Sequence, residues 1–274
     1  MIPPCRELPV GELQRLVAGL PPVDGQSVPD PRWRRVVVCL SSDPRPGVVK
    51  AARGLARRLE AALTEHRRLV DMYEHERKLW SLGYQAVAGV DEAGRGPLAG
   101  PVVAAAVIMA PGTHIPGVDD SKALSAAQRQ TLYPLIRQRA LAVGIAGAGP
   151  AYIDRHNIHQ ATLYAMRVAI TRTGLSPDHL LVDAVRLPVP IPQWSLVHGD
   201  ALSASIAAAS IVAKVTRDRL MNCLDRRYPQ YGFAAHKGYA TPEHLERLAR
   251  YGPCAAHRYS FAPVRLAGQL AQGR

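Results

Sequence analysis

The sequence lacks closely spaced cysteines and long uninterrupted apolar runs. Its four cysteines, Cys5, Cys39, Cys223 and Cys254, stand far apart and form no Cys-x-x-Cys pair. We therefore predict reduced thiols in a cytoplasmic protein, not a disulfide framework or a zinc site. The longest apolar stretch, residues 97–111, is interrupted by glycine and proline and is too short to span a bilayer. The first residues also lack the charged-then-apolar pattern of a signal peptide.

Acidic residues are scarce as well. The 22 Asp and Glu stand against 34 Lys and Arg, which gives a net charge of +12 and a pI near 10.0. Such an excess of positive charge favours a polyanionic partner, either nucleic acid or an anionic membrane surface. No other feature of the sequence indicates a membrane. At 274 residues and 47% hydrophobic, the chain is long enough for one large domain with an appendage, and we expect a monomer.

The N-terminal part differs in composition from the rest. Residues 1–47 are rich in proline, with a helix predicted at 7–20 and a strand predicted at 34–40. From 48 to 80 the apolar residues recur at three- and four-residue steps, which predicts a long helix ended by Gly83. This helix has many basic residues, which form either a solvated face or a contact with a nucleic-acid backbone: Arg53, Arg57, Arg58, Arg67, Arg68, Arg77 and Lys78.

The remaining chain alternates between strand and helix patterns. Strands are predicted at residues 86–90, 102–109, 141–148, 180–183 and 194–197. Helices are predicted from Ser125 as N-cap to 139, at 153–173, from 201 to 227, and at 242–251 with proline at the first position. Capping of the 201–227 helix is one role open to Asp200. Three successive strands followed by two that alternate with helices predict a mixed five-stranded α/β sheet with helices on its faces.

Four carboxylates fall at the ends of predicted strands or at the start of the next element: Asp91, Glu92, Asp183 and Asp200. A set of oxygen ligands without histidine or cysteine selects Mg²⁺ or Mn²⁺ rather than zinc. Two such ions, about 3.5–4 Å apart, could clamp the attacking water and the leaving oxygen of a phosphodiester. Successive side chains of a regular strand point to opposite faces. Either the pleat therefore relaxes at Glu92, or Glu92 contributes through its backbone carbonyl.

Several motifs together resemble a known family. The stretch AGVDEAGRGPLAGPV at 88–102 resembles the opening motif of ribonuclease HII. The resemblance continues in order through DSK at 120–122, LVDA at 181–184, GD at 199–200, SIAAASIVAKVTRD at 205–218, YGF at 231–233, HKGY at 236–239 and HRYSFAPV at 257–264. It covers roughly residues 85–265. The helix at 48–84 is similar to the N-terminal extension of some bacterial members.

The resemblance implies a fold and an activity. The fold is a ribonuclease H-like mixed five-stranded sheet flanked by helices, with a helical, basic N-terminal extension at 1–84, a catalytic domain at 85–265 and a tail at 266–274. The activity is endonucleolytic cleavage of the RNA strand of RNA–DNA hybrids and incision 5′ of single ribonucleotides embedded in duplex DNA. It uses Mn²⁺ or Mg²⁺, leaves 3′-hydroxyl and 5′-phosphate ends, and serves ribonucleotide excision repair and hybrid removal.

The resemblance also implies roles for individual residues. Metal ligands are Asp91, Glu92 and Asp183, and Asp200 is the fourth catalytic carboxylate. The Gly94-Arg95-Gly96 turn would recognise the 2′-hydroxyl at the RNA-to-DNA junction, and Tyr239 would stack on the following deoxyribose. Expected phosphate or backbone contacts come from Ser121, Lys122 and Lys214, although Lys214 and Arg217 could equally be solvated. We assign no base role to His236 or His257.

Two departures and three alternatives accompany this hypothesis. His198 and Tyr259 stand where the family often has basic residues, which bears on substrate affinity. The sister ribonuclease HIII would lack the glycine-arginine-glycine turn. A non-catalytic binding module would be expected to have lost a carboxylate, and a nuclease acting on DNA alone would leave the turn and Tyr239 unexplained. A replication clamp is considered as a partner of the C-terminal tail, where no clamp-binding peptide is evident.

Overall fold

The computed structural model describes residues 8–21 and 29–272. The chain forms two compact units, one from the residues up to Asp71 together with 114–117, the other from 72–113 and 118 onward. The division at residue 84, which separates extension from catalytic domain, remains a prediction. In the described ranges, no helix is long and apolar enough to cross a membrane.

The first unit is helical. It contains α1 (Val10–Ala18), α2 (Arg32–Ser41) and most of α3 (Pro46–Met72). Its core joins Leu13 of α1 to three residues of α2 and three of α3: Trp33, Val36, Leu40, Ala52, Leu55 and Leu59. The helix predicted at 7–20 is confirmed from Val10 to Ala18, and its predicted first residue, Glu7, lies outside the described residues.

The strand predicted at 34–40 is wrong, because this segment is helix α2. Three successive valines suggested a strand. The buried side chains of α2 are instead Trp33, Val36 and Leu40, at steps of three and four residues, while Val38 is 67% exposed. A helix buries that spacing on one face, which strand alternation cannot do.

The prediction that all four cysteines are reduced is wrong at Cys39, which is disulfide-bonded. Cys223 and Cys254 are free thiols, as predicted, and Cys5 lies outside the described residues. Distance along the sequence was the basis of the prediction. A disulfide depends on the distance between two Cα atoms in space, which sequence separation does not report.

The single helix predicted at 48–80 is two helices. Tyr73 separates α3 from α4 (Glu74–Ser81), and Gly83, with a φ of 98°, follows just beyond the end of α4. A glycine in the left-handed region at that position is a common helix terminator. Helix α4 belongs to the second unit, where Leu79 packs against the strands.

The second unit contains the predicted mixed sheet. Its strands are β1 (Val87–Ala93), β2 (Val102–Ile108), β3 (Ala142–Ala148), β4 (His179–Asp183) and β5 (Gln193–Leu196), in the order β3-β2-β1-β4-β5. Strand β2 is antiparallel to both β1 and β3, whereas β4 is parallel to β1 and β5. The pairing of β1 with β4 ends at Val90 opposite Val182. The next residues of these neighbouring strands are Asp91 and Asp183.

Helices cover both faces of the sheet. The helices of this unit after β2 are α5 (Ala126–Arg139), α6 (Pro150–Thr171), α7 (Gly199–Leu202), α8 (Ala204–Arg227), α9 (Phe233–His236), α10 (Pro242–Tyr251) and α11 (Ala262–Gln272). Of these, α6 and α8 pack most extensively against the strands. Ser125 caps α5 in a capping box with Gln128, as its position predicted. The tail predicted from residue 266 is largely helical, since α11 extends to Gln272.

Asp200 does not cap the long helix. It lies within the short helix α7, and the N-cap of α8 is Ser203, whose side chain accepts a hydrogen bond from the Ile206 N–H at 3.3 Å. Capping was one role open to Asp200 because the alanine-rich pattern runs without interruption through both helices. The Asp200 side chain is thereby released for another contact.

Helix α8 lies directly against β1. A Cβ placed on Gly89 would be 2.1 Å from the Ser205 backbone carbon, so glycine is required for this approach. The buried alanines 207–209 continue the close packing along the helix. This contact brings Ser210 beside the end of β1, where Asp91 and Glu92 lie.

Candidate active site

The four predicted carboxylates lie at one end of the sheet. Asp91 and Glu92 are on β1 beyond its pairing with β4, Asp183 ends β4, and Asp200 is on α7, which follows β5. Asp91 and Asp200 are buried, with exposures of 4% and 3%. Burying several carboxylates together costs free energy unless hydrogen bonds or cations compensate.

Asp91 has partial compensation. Its Oδ1 accepts the Glu92 backbone N–H at 2.6 Å, and the nearby Ser210 side chain also favours the ionised carboxylate. The pKa of Asp91 is nevertheless raised well above its ordinary value, first by burial and then by repulsion from Glu92 and Asp183. The ionised form of Asp91 therefore favours a nearby cation.

Glu92 is subject to the same repulsion. Burial and the charge of Asp183 raise its pKa, although Arg95, whose Nη1 lies 3.4 Å from the Glu92 carboxylate, opposes the shift. The pairing of β1 with β2 continues without interruption to Ala93 opposite Val103. The repulsion between the two carboxylates indicates that the Glu92 side chain lies near Asp183. It does so although no bulge interrupts β1.

Asp183 and Asp200 each have a specific partner. Oδ1 of Asp183 accepts the Gly199 N–H at 2.7 Å, and burial followed by repulsion from Asp200 raises the Asp183 pKa despite that bond. Asp200 Oδ2 binds Lys122 Nζ at 3.0 Å. Burial lowers the pKa of Lys122, but the hydrogen bond to Asp200 and the charge of that carboxylate have the larger effect. The net result is a raised pKa of Lys122. Lys122 is therefore the cation that balances part of the carboxylate charge.

The carboxylates fit a hard divalent cation by chemistry. They offer only oxygen ligands, and burial and mutual repulsion raise the pKa of three of them. Across residues 8–21 and 29–272, however, no three acidic, histidine or cysteine side chains are grouped tightly enough to hold a metal ion as they stand.

The glycine-arginine-glycine turn follows immediately after the carboxylates of β1. Gly94 has a φ of 93°, and a Cβ there would lie 1.9 Å from Nε of Arg217, so both conformation and space require glycine. The Arg95 side chain is 42% exposed and lies beside Glu92. Gly94 therefore packs against Arg217 in the interior, while the Arg95 side chain is partly exposed to solvent.

Tyr239 lies beside this turn. Its side chain is 44% exposed, and the Arg217 guanidinium carbon is 5.9 Å from its ring centroid. The backbone carbonyl of Tyr239 accepts a hydrogen bond from His244 Nδ1 at 2.8 Å. The Leu98 N–H, in the loop that carries the turn, donates to the Gly238 carbonyl at 2.8 Å. The structure thus brings together two motifs that are more than 140 residues apart in the sequence.

The other predicted contacts are more varied. Ser121 is buried, with its hydroxyl 2.8 Å from that of Ser210, so it supports the Asp91 surroundings from within. Lys214 Nζ binds Asp218 at 2.8 Å on the same helix. Arg217, for which solvent exposure remained open, is completely buried. His198 is exposed at the N-terminus of α7 with a φ of 56°, and Tyr259 is 47% exposed.

Two further residues contact the site and were not predicted from the sequence. Ser210 lies near Asp91 and favours its ionised form, and Arg258 donates to the carbonyls of Gly94 and Arg95. Both lie inside motifs of the family resemblance. A serine in an alanine-rich helix and an arginine after a histidine have no distinctive spacing, so only the fold reveals their contacts.

Comparison with known proteins places the chain in a family. Residues 88–264 match the family description "Ribonuclease HII", and residues 26–80 match "Ribonuclease HII N-terminal domain". The chain is similar to ribonuclease HII of Geobacillus thermodenitrificans, with 49% identity over 92% of this chain and 95% of that one. The N-terminal match favours ribonuclease HII over ribonuclease HIII and agrees with the predicted extension.

Solved structures show the same fold. The ribonuclease H2 of Pyrococcus horikoshii superimposes with a TM-score of 0.60 and 27% identity, over 69% of this chain and all of that one. Ribonuclease HII of Archaeoglobus fulgidus, solved as a complex with PCNA, gives a TM-score of 0.53 and 26% identity over 63% of this chain and 93% of that one. Sequence and fold agree, and the chain belongs to the ribonuclease HII family of endonucleases that cut the RNA strand of RNA–DNA hybrids.

Proposed function

We propose that this chain, besides cutting RNA–DNA hybrids, incises duplex DNA on the 5′ side of a single embedded ribonucleotide. The products would carry 3′-hydroxyl and 5′-phosphate ends, and the role would be ribonucleotide excision repair. One observation supports the proposal most directly. The turn that follows the carboxylates of β1 hydrogen-bonds through Leu98 to Gly238, the residue before Tyr239. The turn proposed to bind ribose and the aromatic ring proposed to bind deoxyribose are therefore adjacent to one cluster of carboxylates.

Asp91, Glu92 and Asp183 would hold divalent metal, Mn²⁺ or Mg²⁺, with Asp200 as the fourth carboxylate. Family membership brings dependence on a divalent metal, and the choice of ion and the use of two ions are part of the proposal. When bound, the metal would supply an activated water and stabilise charge on the phosphate. Asp200 would orient Lys122, whose Nζ lies 3.0 Å away, toward the scissile phosphate.

The remaining predicted residues would bind the substrate. The Gly94-Arg95-Gly96 turn would contact the 2′-hydroxyl, which distinguishes RNA from DNA. Tyr239, a residue that is 44% exposed, would stack on the next deoxyribose. Lys214 and Ser121 are proposed to contact phosphate. Lys214 would then exchange its bond to Asp218 for one to phosphate, and Ser121 would exchange its bond to Ser210.

Nucleic acid is the partner that the net charge of +12 favours. The basic residues of α3 are proposed to contact the duplex backbone. The archaeal ribonuclease HII was solved with PCNA, which keeps a clamp among the candidate partners of this chain. Monomeric state and cytoplasmic location remain predictions.

The deciding experiment uses three labelled duplexes, one with a single ribonucleotide in DNA, one a continuous RNA–DNA hybrid, and one all DNA. Each is incubated with the protein and either Mn²⁺ or Mg²⁺. We expect one metal-dependent cut 5′ of the ribonucleotide, cutting of the hybrid, and an intact DNA duplex. Cutting of the hybrid alone would refute single-ribonucleotide incision. Cutting of the all-DNA duplex would refute recognition of the 2′-hydroxyl.

A further inference from the structure

Arg258 is a fully buried cation in the second unit, with 0% exposure. Its guanidinium donates to three backbone carbonyls of the loop between β1 and β2, those of Gly94 (2.6 Å), Arg95 (2.7 Å) and Gly100 (3.0 Å). A guanidinium presents five N–H donors in a rigid planar fork. One side chain therefore fixes both the start and the end of the loop that contains the turn.

Arg217 is the second buried cation at this loop and is also 0% exposed. It donates to the carbonyls of Pro101 at 3.0 Å and Ala99 at 3.1 Å. Its Nη1 is buried without a partner in the part of the chain that the structure describes. The same guanidinium lies 5.9 Å from the Tyr239 ring centroid. Arg217 thus contacts both the loop and the tyrosine.

Burying two charged guanidinium groups at this loop costs free energy of folding. Neither forms a salt bridge with a carboxylate of the described residues, and burial followed by repulsion from Arg217 lowers the pKa of Arg258 to about 9. Buried charged groups are commonly less stabilising than apolar side chains of similar size. The two guanidinium groups fix the positions of five carbonyls of the loop through hydrogen bonds. Apolar side chains have no donors and could not do this.

The loop is also bonded to the segments that contain Tyr239 and Arg258. The Arg258 N–H donates to the Leu98 carbonyl at 2.9 Å, and the Leu98 N–H donates to Gly238. A Cβ on Gly238 would lie 2.6 Å from the Ala99 carbonyl oxygen. The turn and Tyr239 are therefore held at a short, defined separation.

We propose that Arg258, together with Arg217, is a positioning residue that sets the separation between the Gly94–Gly96 turn and Tyr239 and thereby the preference for single embedded ribonucleotides. The inference rests on the proposed function. A single ribonucleotide can bind productively in only one register, so a displaced turn has no second position to use. A continuous hybrid offers a ribose at every step and tolerates the displacement better.

The test measures kcat/KM on the single-ribonucleotide duplex and on the continuous hybrid for wild type and variants. Arg258→Lys and Arg217→Lys keep the charge and the aliphatic stem but lose the fork. Because displacement of about 1 Å can cost about a hundredfold in rate, we expect the ratio of the two kcat/KM values to fall at least about tenfold. Ile136→Val, a small truncation in the core of α5, is the control and should leave the ratio unchanged.

Each outcome supports or overturns the inference. Equal losses on both substrates would mean that the arginines only stabilise the fold, and would overturn the inference while leaving the proposed function intact. A wild type that cuts only the hybrid would overturn the proposed function and the inference with it. If Arg258→Lys does not fold, as judged by its thermal unfolding, the ratio for Arg217→Lys decides. A tenfold fall with normal unfolding of the variant would support positioning.

Discussion

Asp91 combines two opposing environments at a single residue. Ser210 and the Glu92 N–H stabilise its ionised form, whereas burial and the neighbouring carboxylates oppose it, and the net effect is a raised pKa. The ionised side chain is consequently destabilising in the absence of a cation. This property lowers the stability of the folded protein and is what the proposed role of Asp91 as a metal ligand would use.

Asp91→Asn should therefore separate activity from stability. We expect turnover on the hybrid to fall roughly a thousandfold or more, as when an essential electrostatic group is removed. We also expect Tm at pH 7 without added metal to rise by about 2–4 °C, because a neutral amide relieves the repulsion. Cleavage assays and thermal unfolding check both.

Asp71→Asn is the matched control, since that carboxylate is exposed on α3. Its turnover should stay close to that of wild type. Normal turnover of Asp91→Asn would refute the assignment of Asp91 as a ligand.

A buried histidine cluster predicts how stability depends on pH. His257 Nδ1 accepts the Cys254 N–H at 3.0 Å, and its Nε2 lies 3.1 Å from Nε2 of His244. Burial, followed by the charges of His244 and His236, lowers the pKa of His257 from 6.5 to about 4. Below pH 6.5 the unfolded chain binds the proton more tightly, so stability falls as the pH drops from 6.5 toward 4.

The loss should reach at most about 3 kcal/mol for this residue. Urea unfolding of wild type and His257→Asn between pH 4 and 8 measures it, and the variant should lose less stability across that window. The exposed His159 offers the control His159→Asn, which should reproduce the wild-type profile. Identical slopes in wild type and His257→Asn would exclude a neutral buried His257.

At the residue scale, the sequence predicted ligand types better than contacts. Carboxylates at strand ends and a turn with two glycines are visible as patterns. The bond of Ser121 to Ser210 joins residues 89 positions apart, and those of Arg258 span more than 150. Nothing in local spacing reports such pairs, because they depend on how α8 and the C-terminal segment pack.

At the element scale, α4 supports the start of α8. Oε1 of Glu76 accepts the Ser203 hydroxyl at 2.6 Å and both the backbone N–H and hydroxyl of Ser205, at 2.9 and 2.6 Å. Glu76 is completely buried. A carboxylate at a helix N-terminus is favourable because it satisfies free N–H groups and complements the helix dipole.

Glu76→Ala should cost roughly 2–4 kcal/mol in free energy of unfolding, since it leaves buried donors without an acceptor. Glu74→Ala, an exposed carboxylate on the same helix, should change stability by less than about 0.5 kcal/mol. Urea unfolding of both variants makes the comparison. Equal effects would mean that the bonds to Ser203 and Ser205 contribute little.

Elements with clear boundary signals were predicted well. Ser125 and Pro242 begin their helices where capping rules place them, and all five strands exist at nearly the predicted positions. Errors occurred where a pattern had two solutions. The valine run of α2 fits a strand or a helix, and an alanine-rich stretch conceals the break at Ser203.

At the scale of the whole molecule, the chain divides at Asp71, within the predicted extension. Sequence alone could not locate this division, because α3 and α4 have one continuous apolar pattern across Tyr73. The contacts of Glu76 and Leu79 place α4 in the second unit.

Removal of residues 1–71 should leave hybrid cleavage intact but weaken binding to duplexes. Every phosphate that a protein neutralises steepens the fall of log K with log salt by about 0.9, so the truncated protein should bind with a flatter salt dependence. Binding measured from 50 to 200 mM salt checks this. Removal of residues 1–80 is the comparison, and it should also reduce stability because Glu76 and Leu79 are removed. An unchanged slope would mean that the first unit does not touch the phosphate backbone.

The bonds of Arg258 have a consequence for the order in which the protein matures. During synthesis the N-terminal residues leave the ribosome first, and long-range contacts form late. The strands β1 to β5 are complete by residue 196. Arg258, which binds the loop at 94–101, is synthesised 158 to 164 residues after the carbonyls to which it donates. A nascent chain therefore contains all five strands before Arg258 is synthesised. On the proposal made above for Arg258, the geometry that selects among substrates would form after the carboxylates are in place.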